Sequence, residues 1–436
     1  MNDDIELLSE IPGPHTRNLA TTLRRFESRN VTYLSDEFPV FWEAASGATI
    51  LDVDGNRYLD LTSAFGVANV GHANPHVAAA IAGQATRLMH GMGDVHPTEV
   101  RARLVERIPE ILPPGLTKTF LSTTGSEAVE AAMKTALLAT GKPHFAAYHG
   151  AYHGLSLGAL VVSGLEKFRR PFGSAIGGDT VLLAYPREGI DDVGAALAVA
   201  RDVLSVRRDI AALVIEPIQG RGGCVIPPRG YLPGLRTLCD QLGILLIFDE
   251  IYTGFGRTGA WFAAMHEDVT PDIICIGKAM GSGFPISATV ARDTIMDAWP
   301  ISQGEALHTS TYLGNPMGCA AALATIHELQ RLQLPERANL LGDLLHTKLH
   351  ALKELPGVVA VRGRGMMWGV QLRDAALADR VVKLALQRGV IALQAGPEGD
   401  VISITPPLVI TERQLFCAID VLQECIVDES SKDVTV

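Results

Sequence analysis

The sequence predicts an α/β protein with a mainly parallel sheet and a second, smaller α+β lobe. Residues 211–218 (AALVIEPI) and 244–251 (ILLIFDEI) are continuous apolar runs, which are typical of strands buried on both faces. A helical pattern lies between them and ends at Gly243. After Pro335 the pattern changes to short strand-like pieces between helices. Strands that alternate with crossover helices predict a parallel sheet, and the change of pattern predicts the second lobe.

The other predicted elements begin at Thr49, because the first ~30 residues are polar and too weakly patterned for a prediction. In chain order they are two strands around a turn at Asp54-Gly55 (49–61), a strand and turn (118–125), a helix with one apolar face (127–140), a buried strand (272–277) and, after Pro335, a helix, two strand-like pieces, a helix, a strand and a helix. The segment GRGMMWG (363–369) is predicted to be a strand turn, since its glycine spacing does not suit a dinucleotide loop.

Composition and charge exclude several classes of partner. The chain has 37 Lys and Arg against 48 Asp and Glu, so its charge of −11 disfavours binding to nucleic acid. No apolar run approaches the ~18 residues of a membrane span, and the acidic start MNDDIELLSEIPGP is unlike a signal peptide. The six cysteines form no CxxC pair, which predicts buried, reduced thiols. We therefore expect a cytoplasmic protein without nucleic-acid or membrane partners.

Two reactive side chains follow predicted buried strands. Asp249 lies near the carboxyl end of the strand at 244–251, which is where open α/β sheets place their ligands. Lys278 follows the strand at 272–277 and precedes AMGSG, a loop of small residues that lets a ligand approach closely. A lysine can form a Schiff base with an aldehyde, and a carboxylate can keep a pyridine nitrogen protonated.

A phosphate site and an aromatic side chain complete this set. Thr124, Gly125 and Ser126 lie between a predicted strand and a predicted helix, so their amides and the helix dipole would meet a phosphate. Tyr152, in the loop YHGAYHG, could cover the face of a ring. Each signal alone is weak, but lysine, carboxylate, phosphate loop and aromatic cover together match the four needs of pyridoxal 5'-phosphate.

The sequence resembles the class III aminotransferases of the 4-aminobutyrate and ω-amino acid type, which are pyridoxal-phosphate enzymes of fold type I. The resemblance runs from about Thr49 to the last predicted helix, and such a series of motifs is highly specific. The matching blocks are LDVDGNRYLDLTSAFGVANVGHANP, STTGSEAVEAAMKTA, GAYHGLSLGAL, VIEPIQGRGG, LLIFDEIYTGFGRTG, PDIICIGKAMGSGFP and HTSTYLGNPMGCAAALA.

The resemblance implies roles for individual residues. Lys278 would be the Schiff-base lysine and the general acid–base, and Asp249 would pair with the pyridinium nitrogen. Thr311 would reach the phosphate of the neighbouring subunit, which implies a homodimer with its active sites at the interface. The implied cofactor-binding residues are Thr124, Gly125, Ser126, Tyr152, His153, Glu216, Asp249, Ile251, Tyr252, Lys278 and Thr311.

The resemblance also implies a domain organisation. Members of the family combine a large domain, built on a mostly parallel sheet of seven strands, with a small α+β domain formed by both termini. On this pattern we expect residues 1–75 to contribute to the small domain, residues 76–330 to form the large cofactor-binding domain, and residues 331–436 to complete the small domain.

Three positions depart from the family pattern. Many members have a glutamate where this chain has Arg221, an arginine that binds the substrate carboxylate at Ser403, and a glutamine at Tyr252. A serine cannot provide the bidentate fork of a guanidinium. One hypothesis is that Arg221 binds an acidic group from the other side of the pocket, and the alternative is that it points to solvent.

The substrate side of the pocket has further candidates. Phe65, Arg221, Trp42 and Ser403 are the predicted lining residues, and Phe41 is a further candidate beside Trp42. The predicted reaction is a ping-pong transfer of an amino group from an amine or amino acid to an oxo acid. The sequence leaves the identity of both substrates open.

Amino acid racemisation or epimerisation is the alternative activity. Relatives with that activity carry an acidic second base at the position of Arg221, and an arginine stays protonated and cannot replace it. A mechanism with Lys278 as the single base remains open.

Other classes of function fit the sequence less well. A nucleotide-hydrolysing enzyme needs GxxxxGK[ST], and neither Gly-Lys pair provides it. A non-catalytic pyridoxal-phosphate regulator is disfavoured, because Lys278 and Asp249 are both present. The histidine pairs His72/His76 and His149/His153 lie in loops without an HExxH glutamate, so no metal site is predicted.

Overall fold

The computed structural model describes residues 4–177 and 179–432. Its strands are β1 (Trp42–Ser46), β2 (Thr49–Asp52), β3 (Arg57–Asp60), β4 (Lys118–Ser122), β5 (His144–Tyr148), β6 (Val181–Leu183), β7 (Ile210–Ile215), β8 (Leu245–Asp249), β9 (Ile273–Ile276), β10 (Ser287–Ala291), β11 (Val358–Arg364), β12 (Met367–Leu372), β13 (Val390–Ile391), β14 (Leu393–Ala395) and β15 (Val401–Ile404).

Helices cover the sheets and connect their strands. They are α1 (Pro14–Phe26), α2 (Ser63–Gly66, a single turn), α3 (Pro75–Arg87), α4 (Glu99–Arg107), α5 (Gly125–Thr140), α6 (Leu157–Leu160), α7 (Glu166–Arg169), α8 (Gly173–Ile176), α9 (Val193–Ser205), α10 (Tyr231–Leu242), α11 (Asp293–Met296), α12 (Pro316–Arg331), α13 (Leu334–His350), α14 (Ala375–Gln387) and α15 (Glu412–Lys432). Short 3-10 segments lie at Ile108–Ile111, Arg170–Phe172, Ala263–Glu267, Lys278–Met280 and Ala351–Glu354. None of the helices in residues 4–177 and 179–432 combines the length and the hydropathy of a membrane span.

The central sheet has seven strands in the order β4-β10-β9-β8-β7-β5-β6. Six of them run parallel, and β10 is antiparallel to both of its neighbours. Every residue of β7 and β9 is buried, as the continuous apolar runs predict. The predicted α/β fold with a mostly parallel seven-stranded sheet is therefore confirmed.

Helix α5 begins at Gly125, two residues before the predicted start at Glu127. The Thr124 hydroxyl accepts a hydrogen bond from the Glu127 amide at 3.3 Å, and the Glu127 carboxylate accepts from the amides of Thr123 and Thr124. This capping box satisfies the free amides at the start of the helix. It also places Gly125 and Ser126 in the first helical turn.

Two further sheets have four strands each, in the orders β1-β2-β3-β13 and β11-β12-β15-β14. Strand β13 lies near the carboxyl end of the chain and pairs in parallel with β3, so residues from both ends share one sheet. The predicted turn at 363–369 joins β11 to β12. The sequence did not predict β13 and β14, which are too short for a periodic pattern. The domain boundaries after residues 75 and 330 stay a prediction.

Helix α1 lies in the first ~30 residues, whose structure could not be predicted from their weak pattern. The carboxylate of Asp54 accepts hydrogen bonds from the amides of His15 and Thr16 at 2.8 and 3.0 Å, and thereby caps the start of the helix. Because this capping residue lies in the turn between β2 and β3, the local sequence around α1 does not reveal it.

Candidate active site

A cavity of about 620 Å³ lies at the edge of the central sheet where the parallel strands end. Asp249 is the last residue of β8, Lys278 follows the end of β9, and Glu216 follows β7 directly. This is the edge at which open α/β sheets bind ligands. The structure brings these predicted residues together around the cavity: Phe65, Gly125, Ser126, Tyr152, His153, Glu216, Arg221, Asp249, Ile251, Tyr252, Lys278 and Ser403.

Lys278 presents its amine to this cavity. Its backbone is in the left-handed region, with φ of 45°, and Nζ lies 4.0 Å from the ring centroid of Tyr252. No carboxylate of the described chain forms an ion pair with it. Burial lowers the pKa of Lys278 and the charge of Arg221 lowers it further, against the opposing effects of Asp249 and Glu216. A larger share of the amine is therefore unprotonated and nucleophilic than in a solvated lysine.

The Asp249 carboxylate is held from two sides. Its Oδ2 lies 2.7 Å from Nδ1 of His153, and its Oδ1 accepts a hydrogen bond from the amide of Ile251 at 3.0 Å. Burial by itself would lower the pKa of His153, but the hydrogen bond to Asp249 and its charge outweigh burial and raise it. The carboxylate therefore has a fixed orientation toward the cavity.

Glu216 joins two loops beneath the cavity. Its two carboxylate oxygens accept hydrogen bonds from the amides of Tyr152 and Gly220, each at 2.9 Å. Burial raises the pKa of Glu216 to about 7. The contact fixes the loop that carries the Tyr152 ring relative to the turn that carries Gly220.

The first turn of α5 forms a cradle with free amide groups. No acceptor within the described ranges takes a hydrogen bond from the amides of Gly125 and Ser126. A Cβ atom at residue 125 would lie 3.0 Å from Cδ1 of Ile251, and one at Gly154 would overlap the side chain of Ser126. A helix N-terminus with free amides and room for close approach suits a phosphate group.

The ring of Tyr252 lies between Gly66 and Gly220, which approach its two opposite edges. A Cβ atom on either glycine would overlap the ring, and the tyrosine hydroxyl lies 3.1 Å from Oγ1 of Thr405. These contacts fix the ring beneath the amine of Lys278. Tyr252, which stands where many family members have a glutamine, therefore forms a rigid aromatic wall beside that amine.

Phe65 lines the cavity from the single turn α2. Ser63, Ala64 and Phe65 all have left-handed backbones, with φ of 48°, 49° and 64°. Such a conformation is costly for residues other than glycine and occurs mainly where the surrounding structure imposes it. Phe65 is 63% exposed in the single chain although it lines the cavity.

Arg221 is half-buried and also lines the cavity. Its Nη1 donates to the carbonyl of Gln394 at 3.2 Å, and its own carbonyl accepts from the amide of Gly396 at 2.9 Å. Ser403 lies on β15 and is buried.

Four predicted residues lie outside the cavity of the described chain. Trp42 starts β1, and its ring packs edge-on against His72 instead of lining the cavity, so its place in the substrate pocket stays a prediction. Phe41, beside it, does not line the cavity either. Thr124 caps α5 next to the cavity, and Thr311 lies in an exposed segment apart from it.

The sequence did not predict several other residues that line the cavity. They are Val31, Gly154, Leu155, Phe168, Gly220, Leu393, Gln394 and Ala395. Gly220 belongs to the motif VIEPIQGRGG and could have been included, whereas Val31 and Phe168 lie in segments without a pattern.

The side chains present fit pyridoxal phosphate. An amine without an ion partner, a buried carboxylate, a helix N-terminus with free amides and an aromatic ring surround one cavity. The unpartnered Nε2 of His153 and the close approach at Gly125 indicate that a bound group belongs in this space.

Comparison with known proteins identifies the family. The class III aminotransferase family matches residues 32–426. Putrescine aminotransferase of Pectobacterium atrosepticum is 38% identical over 393 residues, which cover 88% of this chain and 82% of the relative. Acetylornithine aminotransferase of Methanosarcina mazei is 37% identical over 398 residues, covering 91% and 94%.

Solved structures agree with these matches. Ornithine aminotransferase of Toxoplasma gondii ME49 is 30% identical, with a TM-score of 0.85 and coverage of 96% of each chain. A transaminase from the marine bacterium Virgibacillus is 27% identical, with a TM-score of 0.88 and coverage of 95% and 100%. None of the relatives named here is a racemase. The chain therefore belongs to the class III aminotransferases and is a pyridoxal-phosphate-dependent transaminase.

Proposed function

We propose that one cavity carries both half-reactions, with Lys278 as the residue that moves the proton. The observation that carries this proposal is the Lys278 amine at the end of β9, which has no ion partner in the described chain and a lowered pKa. When bound, pyridoxal phosphate supplies an aldehyde for the amine and a ring that withdraws electrons from the substrate carbon.

A lysine amine, a carboxylate and two backbone amides of the chain have separate roles in this reaction. Nζ of Lys278 would bind the cofactor and, once free, would take a proton from the substrate carbon and deliver it to the cofactor instead of returning it to that carbon. The Asp249 carboxylate, oriented by His153 and the amide of Ile251, keeps the ring nitrogen protonated. The amides of Gly125 and Ser126 bind the phosphate.

Further residues enclose the ring. We assign the ring cover to Tyr152, whose backbone is fixed by Glu216, and the opposite lining to Tyr252. Thr124 shapes the phosphate cradle through its cap on α5. Phe65 and Ser403 line the substrate side.

A homodimer completes the proposal. Large apolar side chains are exposed in two neighbouring segments, which are joined by the ring contact of His90 with Tyr312 at 5.4 Å. They are Leu88, Met89, Met92, Val95, Leu307 and Tyr312. A patch of this kind is typical of a protein interface. Thr311 lies beside Tyr312 in it, which supports contact with the partner's cofactor phosphate.

Two measurements test the dimer. Light scattering of the holoenzyme should give twice the chain mass. Thr311→Ala should weaken cofactor binding without changing that mass, because it removes one hydroxyl contact. A monomeric mass for active wild-type enzyme would contradict the shared site.

The relatives suggest the donor class. Their names specify putrescine, acetylornithine and ornithine, which carry an amine at the end of a carbon chain. We propose donors of that kind, with an oxo acid as acceptor. We place the enzyme in the cytoplasm, which is consistent with six cysteines that form no disulfide.

The test of the function follows the cofactor's visible absorbance in purified holoenzyme. A donor should remove the wild-type band, an oxo acid should restore it, and Lys278→Ala should slow this cycle by at least about 10²-fold. Lys142→Ala is the control, since Lys142 does not line the cavity and its Nζ donates to the carbonyl of Gly243. Loss of chiral purity in an amino acid without amino transfer would overturn the proposal in favour of racemisation.

A further inference from the structure

The cavity contains one basic side chain whose charge the proposed reaction does not use. Glu216 and Asp249 accept hydrogen bonds from fixed partners, and His153 pairs with Asp249. Apart from His153 and Lys278, Arg221 is the only basic residue that the described chain contributes to the cavity lining.

The Arg221 backbone is anchored on two sides. Its carbonyl accepts from the amide of Gly396, and the same turn is tied to β11 because Nε of Arg362 donates to the carbonyl of Gly223 at 2.8 Å. A bridge between Gln219 and Val225 closes the turn. The guanidinium therefore projects from a rigid support.

The guanidinium itself is largely unused. Nη1 donates to the carbonyl of Gln394, and the remaining N–H groups have no acceptor in the parts of the chain that the structure describes. No carboxylate of these residues forms an ion pair with Arg221. Its positive charge also contributes, after burial, to the lowered pKa of nearby Lys167. An anion at this position would thus meet free donors and a positive field.

The rest of the substrate side carries no competing charge. Phe65, Phe168 and Leu393 are apolar, and Ser403 is neutral. A carbon chain can cross this region. Among the residues that line it, Arg221 carries the charge that can bind an anionic end, whereas Lys167 lies outside the lining, with its Nζ 5.2 Å from the centroid of the Phe168 ring.

We propose that Arg221 binds a carboxylate at the far end of the amino donor and disfavours donors that carry a second ammonium group there. The inference rests on the proposed function and narrows its substrate class. A guanidinium can bind a carboxylate through paired hydrogen bonds, whereas it repels an ammonium group. We therefore expect putrescine, the compound in the name of the Pectobacterium atrosepticum relative, to be a poor donor for this enzyme.

The experiment compares donors that differ only in the charge at the far end. 4-Aminobutyrate, butylamine and putrescine, together with longer homologues of each, are mixed with holoenzyme, and the rate of cofactor conversion is measured. Wild-type enzyme should convert the acids about 10- to 100-fold faster than the diamines of equal length, as expected for a charged hydrogen-bond pair.

Variants of Arg221 assign the preference to this side chain. Arg221→Gln should remove the preference, Arg221→Glu should reverse it in favour of diamines, and Arg221→Lys should retain part of it. The matched control is Arg187→Gln, because Arg187 is exposed, pairs with Asp191 and does not line the cavity. The control should leave the order of donors unchanged.

A binding measurement adds a readout that does not depend on turnover. Calorimetry should show that holoenzyme binds pentanoate and that Arg221→Gln binds it about tenfold more weakly or worse. Equal rates for acids and diamines in wild-type enzyme, or unchanged pentanoate affinity in the Gln variant, would overturn the inference. If no amine converts the cofactor, the proposed transamination fails instead, and pentanoate binding still decides the role of Arg221.

Discussion

Arg257 provides a direct test of how the wall of the cavity is held. Its side chain is fully buried and has no ion pair with a carboxylate of the described residues. Burial lowers the pKa of Arg257 to about 10, so the guanidinium remains charged at neutral pH. Nη1 donates to the carbonyls of Met366 and Pro406, and Nη2 donates to Oγ of Ser63 and Oδ1 of Asn69.

The expected cost of Arg257→Met follows from these four acceptors. A buried acceptor that loses its donor costs about 1 kcal/mol or more. Removing a buried cation without an ion partner offsets part of that loss, so we expect the free energy of unfolding to fall by about 3 kcal/mol. Because one acceptor is Ser63, the left-handed turn that carries Phe65 should also lose its support.

Urea denaturation of the holoenzyme, followed by tryptophan fluorescence, measures the loss. Arg257→Lys should recover little, since one ammonium group cannot reach all four oxygens. Arg201→Met is the control, because Arg201 is exposed and its guanidinium donates to Gln241 at the surface, and its loss should stay within about 0.5 kcal/mol. A loss below about 1 kcal/mol for Arg257→Met would refute the reasoning about the four acceptors.

Two further predictions concern a buried acid and the phosphate cradle. Burial raises the pKa of Glu250 from 4.5 to about 7, so its contribution to stability is complete below pH 4.5 and is lost as the pH rises to 7. Glu250→Gln should therefore flatten the fall in melting temperature over this range, and an unchanged slope would exclude the raised pKa. Gly125→Val should raise the dissociation constant of pyridoxal phosphate about tenfold or more, since its Cβ would press on Ile251. Equilibrium dialysis measures this constant, and wild-type affinity would show that the cradle at Gly125 is not needed.

The positions of Asp249 and Lys278 could be predicted because Asp249 ends one uninterrupted apolar strand and Lys278 follows another. The ends of parallel strands meet at one edge of a sheet, so two such residues come together wherever their strands are neighbours. Strands β8 and β9 are neighbours in the central sheet. The capping sequence around Thr124 was equally informative, although the helix started earlier than its apolar pattern indicated.

Contacts between distant segments could not be predicted in the same way. Arg257 bonds groups on both sides of it in the chain, from Ser63 to Pro406, and no local pattern marks such a set. Trp42 is a large aromatic residue of the kind that lines pockets, but on β1 its ring packs edge-on against His72. Val31 reaches the cavity from a segment whose sequence carries no periodic signal.

The packing of Tyr252 against Gly66 and Gly220 also constrains how this site can diverge. An alanine at either glycine would overlap the ring, whereas a smaller side chain at residue 252 would leave room beside both. Stepwise change at these three positions is therefore ordered, because the aromatic residue has to be lost before either glycine can be. A library aimed at widening the range of accepted donors should accordingly vary residue 252 first and open the two glycine positions only in the resulting background.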